Sequence, residues 1–99
     1  MIRKYILNGR TAIVEPDLLT WARWFENADR RVGENWLTND VRVSTVFIGL
    51  DHRFDQSGGD PLLFETMVFG GPHDQECERY STWDEAEVGH RAMVEKVQI

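Results

Sequence analysis

The stretch Val41-Arg42-Val43-Ser44-Thr45-Val46-Phe47-Ile48-Gly49 decides the fold class. β-branched and aromatic residues fill it, and such side chains fit the pleated surface of a strand. A polar, glycine-bearing turn follows, Asp51-His52-Arg53-Phe54-Asp55-Gln56-Ser57-Gly58-Gly59-Asp60-Pro61. The return strand is Leu62-Leu63-Phe64-Glu65-Thr66-Met67-Val68-Phe69, broken by Gly70-Gly71-Pro72. Glu78-Arg79-Tyr80 adds a short third strand to this meander. Apolar residues occupy both parities of 41–49, so its second face is expected to be covered by a loop or a second subunit.

Downstream, Thr82-Trp83-Asp84-Glu85 matches the capping box, in which a hydroxyl and a carboxylate satisfy the first backbone donors of a helix. Trp83, Ala86, His90, Met93, Val94 and Val97 then recur at helical spacing. Upstream, Asn8-Gly9 between two β-prone runs signals a type I′ hairpin with strands over 3–7 and 10–14. Asp17 is placed to cap a helix over 18–31, with Leu18, Trp21, Ala22, Phe25, Ala28 and Val32 on one face and Gly33 as its stop. Residues 34–40 read as a loop. The expected fold is a single α+β domain over 1–99, with an antiparallel sheet of four to five strands and two amphipathic helices in the order ββα-βββα.

Ninety-nine residues with four Trp, five Phe and two Tyr supply one core. A chain this short buries a modest fraction of its surface, so a homo-oligomer, which buries more, is among the expectations. A single cysteine, Cys77, excludes an intramolecular disulfide and fits a reducing, cytoplasmic location. No apolar run reaches the length of a membrane span. The net charge is −6, with seven basic and six acidic residues in 1–50 and four basic and eleven acidic in 51–99. That balance argues against direct nucleic-acid binding, which needs clustered Lys and Arg. It also offers an acidic half to a basic partner.

Motifs of recognised chemistry are missing. His52, His73 and His90 stand at no metal-ligand spacing, and His73 with Cys77 reads as part of a polar loop, so no metal or cofactor is expected. His90 reads as a core histidine bonded to backbone. Gly89 beside it is unfavourable in a helix interior unless another backbone approaches closely or a ligand needs the room. Asp51, His52 and Arg53 open the long turn, with Glu65 on the return strand. An Asp with a His is an acid–base pair, which makes these residues candidate site residues. Trp24, Arg30 and Arg31 form a second set, because aromatic faces and guanidinium groups suit a small anionic ligand.

The blocks Val43-Ser44-Thr45-Val46-Phe47-Ile48-Gly49-Leu50-Asp51-His52, Pro61 to Gly71 and Tyr80 to His90 together resemble a group of short, uncharacterised bacteriophage and prophage proteins. The resemblance covers roughly 41–95 and carries no activity. It implies a phage accessory protein acting in the host cytoplasm on a host component, with an anti-defence role. The expectation is a non-enzymatic binding protein whose partner is a host protein or a small anionic ligand. The alternative is a small hydrolase using Asp51, His52 and Glu65.

Overall fold

A computed structural model describes residues 3–37, 40–51 and 59–98. Alternation governs its centre. Val41, Val43, Thr45, Phe47 and Gly49 are buried, and the residues between them are half-buried. Strand β4 (Arg42–Phe47) therefore presents one face to the core, as a period of two requires. It pairs with β5 (Phe64–Phe69), setting Val43 against Val68, Thr45 against Thr66 and Phe47 against Phe64. The strand β6 (Cys77–Tyr80) pairs with β5 on the far side. The fold class is α+β, and both sheets are antiparallel.

The other neighbour of β4 is a strand that sequence reasoning assigns to a helix end and a loop. Strand β3 (Arg31–Trp36) completes the sheet order β3-β4-β5-β6. Helix α1 (Leu18–Asn27) stops well short of residue 31, at Ala28, whose ψ of 147° is extended. Asp29 then accepts the Arg31 backbone N–H at 3.1 Å, a local bond that competes with helix continuation. Gly33 consequently lies within a strand rather than ending a helix.

The N-terminal hairpin also differs by one residue. Strands β1 (Tyr5–Asn8) and β2 (Thr11–Val14) pair Asn8 with Thr11, so the turn residues are Gly9 and Arg10. Gly9 has φ of 65°, the positive value that a type II′ turn needs at its first central position. The shift places Arg10 at the hairpin tip. The hairpin is anchored to the end of β4 by the Tyr5 N–H on Gly49 C=O (2.8 Å) and a bridge between Lys4 and Leu50.

Helix α2 (Trp83–Gln98) covers the inner face of the four-stranded sheet with Ala86, His90 and Met93. Two apolar clusters lie beneath it. Tyr5, Phe47, Leu63, Phe64 and Ala86 form one, and Val41, Val43, Val68 and Met93 the other. Burying a side chain such as Phe47 or Phe64 contributes about 2–3 kcal/mol. Helix α1 reaches the first cluster through Trp24, whose ring meets Phe47 edge-on at 5.7 Å. Among the described residues, no helix covers the outer face of the sheet. Among the described residues, no helix is long and apolar enough to cross a membrane.

Candidate functional site

Between the two apolar clusters runs a polar chain that draws one residue from each strand of the large sheet. The register sets Gly33 opposite Thr45 and Thr45 opposite Thr66, and the ring of His90 descends from α2 onto them. His90 Nε2 lies 2.7 Å from Asn35 Oδ1, and Nδ1 lies 2.7 Å from Thr45 Oγ1. Thr45 and Thr66 hydroxyls are 2.5 Å apart, and Tyr80 hydrogen-bonds Thr66. With Asn35 Oδ1 as acceptor, Nε2 carries the imidazole proton and the Thr45 hydroxyl donates to Nδ1. Burial, reinforced by the nearby Arg91 charge, pushes the His90 pKa below its ordinary value and favours this neutral form. Burial likewise raises the Tyr80 pKa.

Two glycines make room for this chain. A Cβ on Gly33 would sit 3.0 Å from the His90 ring, and a Cβ on Gly89 would overlap the Tyr80 ring. Gly89 thus accommodates a side chain, not the backbone or ligand suggested by its position. His90 is a core residue as read from sequence, although its partners are side chains. Every hydroxyl and ring nitrogen of the chain is engaged, so it holds the sheet and helix in register rather than presenting a reactive group.

The described members of the expected site set do not gather around one point. Glu65 is on the outer face, where its carboxylate accepts from Arg79 Nε at 2.9 Å. Asp51 is buried beside the hairpin, its N–H donating to Arg3 C=O at 3.2 Å. His52 and Arg53 lie outside the described residues. Trp24 packs in the core. Arg30 donates to Phe47 C=O at 3.1 Å and lies 3.7 Å over the Phe25 ring. Arg31 is exposed and paired with Glu34 at 3.3 Å. Acidic residues after Gly70 also have structural duties. Asp74 accepts from Gly70 N–H at 2.7 Å, and Glu76 binds His73 and Lys96, bonds that lower its pKa. Among the described residues, no cluster of His, Cys, Asp and Glu is arranged to hold a metal.

What does form a site is the junction of the hairpin tip, the start of β5 and the N-terminus of α2. A cavity of about 490 Å³ opens there, a volume in the range of ligand pockets. Tyr5, Leu63 and Phe64 supply an apolar floor, and Asp60 and Asp84 supply two carboxylates. Trp83 forms an aromatic wall, and the guanidinium of Arg10 lies 5.2 Å from its ring centre. Arg10 also pairs with Glu87 at 3.5 Å. The first turn of α2 is closed by its own side chains. Glu85 accepts from Thr82 N–H at 3.1 Å, and Thr82 Oγ1 accepts from Glu85 N–H at 3.1 Å. Trp83 Nε1 is buried and has no hydrogen-bond partner among the described residues.

Sequence reasoning names Trp83 and Asp84 as parts of a capping box, Trp83 also as part of the helix's apolar stripe, Arg10 as the first residue of the second hairpin strand, and Asp60 as a turn residue. Their meeting depends on the one-residue shift of the hairpin turn, which no local signal announces. No protein-family model, curated protein or solved structure matches the chain, so the site rests on its own residues.

Proposed function

We propose that this chain is a small, non-enzymatic accessory protein of phage type that binds a host protein in the bacterial cytoplasm, and that its cavity receives a basic side chain of that partner. The observation that carries this reading is the Arg10–Trp83 contact within the cavity. The chain's own guanidinium already rests against the Trp83 ring beside acidic groups. An incoming Arg or Lys would meet the same aromatic surface and the carboxylates of Asp60 and Asp84. Two carboxylates against one guanidinium leave the walls net negative, which matches the acidity of the chain as a whole.

The reading is tested by capture from bacterial lysate. The parent protein should retain a basic host protein that salt releases. Asp60→Lys with Asp84→Lys should reduce retention at least about tenfold, about 1.4 kcal/mol. Equal retention by the double variant would remove the cavity from the interface. A small anionic ligand is a second reading, favoured by Arg10 alone. It predicts a bound mass that is lost on denaturation and absent from Arg10→Ala. The hydrolase reading has less support, because Glu65 would first have to leave Arg79.

A further inference from the structure

The outer face of the large sheet is a grid of three rows. Trp36, Arg42 and Phe69 form one row; Glu34, Ser44, Met67 and Cys77 the middle row; Arg31, Val46, Glu65 and Arg79 the third. Trp36 is 69% exposed and Phe69 38%. The guanidinium of Arg42 lies between these two rings, 5.5 and 4.3 Å from their centres, and 3.7 Å from Glu34. We infer that this face is the interface of a homodimer, in which two copies stack their sheets face to face.

Charge selects a second copy as the occupant. Three arginines and two glutamates give the face a net charge of +1, whereas the chain as a whole carries −6. Two acidic copies meeting through this face bring together little of their negative charge. Area points the same way. The chain exposes 6589 Å², against roughly 5,800 Å² for a compact monomer of its mass. The radius of gyration, 14.3 Å, exceeds the roughly 12.6 Å of a compact domain of this length. The smallest extent is only 20 Å, that of one sheet and one helix layer. A second sheet about 10 Å away would turn an open two-layer slab into a covered one.

The grid also selects the symmetry. A two-fold axis along the middle row sets Trp36 of one copy against Arg31 of the other and brings Arg42 near Glu65. It also sets Glu34 against its own mate, a single like-charge contact in which each carboxylate is already paired to Arg31 and Arg42 of its own copy. An axis along the strands would instead oppose Arg31 and Arg79 twice. The favoured arrangement places each Cys77, the chain's one cysteine, on the same line as its mate.

Sedimentation over about 1–100 µM tests the inference, this being a range in which interfaces of standard size associate. The parent should have twice its 11.5 kDa chain mass, about 23 kDa. Met67→Lys, at the centre of the face, should shift it to the monomer with an unchanged circular dichroism spectrum. If Met67→Lys fails to fold, exposed Trp36→Ser takes its place and should weaken association at least about tenfold. A bismaleimide spanning about 10 Å should join the parent through Cys77 and leave the monomeric variant single. A parent that stays monomeric throughout overturns the inference, as does a dimer that survives both substitutions. So does a dimer lost only on Leu18→Glu, which would locate the contact at the exposed apolar group Ile13, Val14, Leu18 and Leu19.

Discussion

At the scale of single residues, His90 and Gly89 carry the most specific expectations. His90 is neutral and buried, with a pKa below its ordinary value. In the unfolded chain an imidazole takes up a proton near pH 6.5. Between that pH and the lower folded pKa, the unfolded state binds more protons, so stability should fall as pH drops below about 6.5. Denaturant midpoints at pH 7.5 and 5.5 should show this loss in the parent and much less of it in His90→Gln. A further loss is expected below about pH 4, where Asp17 and Glu76 give up the bonds that lower their pKa values. Gly89→Ala should destabilise by about 1–3 kcal/mol, because the new methyl overlaps the Tyr80 ring. At an ordinary helix position that change would instead stabilise by about 1 kcal/mol. The sign of the shift in thermal midpoint distinguishes the two.

At the scale of elements, β3 is the strongest departure from the sequence reading. Arg31-Val32-Gly33-Glu34-Asn35-Trp36 has weak strand character, with a glycine and three charged or amide side chains. Tertiary context makes it a strand. Gly33 is needed beneath the His90 ring and Asn35 bonds its Nε2, and neither partner lies within fifty residues in sequence. Hydrogen exchange should therefore show protected ladder amides within 31–36; free exchange there would contradict the strand. The meander and the last helix were legible because their signals are local. Alternation marks 41–49, and Thr82 with Glu85 marks the start of α2. Thr82→Ala should cost about 1 kcal/mol, read from a denaturant midpoint, since its hydroxyl accepts the Glu85 N–H. The hairpin was legible in kind, but its turn residues were not, because Asn-Gly and Gly-Arg each satisfy a two-residue loop.

At the scale of the whole molecule, the proposed dimer face and the cavity occupy different surfaces. The outer face of the sheet is nearly balanced in charge, and the cavity lies at the hairpin tip and the start of α2, where Asp60 and Asp84 stand beside an aromatic wall. A dimer through the first leaves the second open, so each copy retains its own cavity. The candidate residues drawn from sequence, among them Trp24, Arg30 and Glu65, carry suitable chemistry but are engaged within the fold. A site assembled from residues 10, 60 and 83–84 becomes visible only when the chain is folded.

The central claim is that the cavity recognises a cationic side chain. Its most direct test is a two-dimensional amide NMR titration with N-acetyl-arginine methylamide and, separately, with inorganic phosphate. The account predicts that the arginine derivative shifts the amides of Arg10, Asp60, Trp83 and Asp84, and that Asp60→Lys with Asp84→Lys abolishes the response while phosphate leaves these signals in place. Shifts caused by phosphate and not by the arginine derivative, or no response at the cavity, would contradict it.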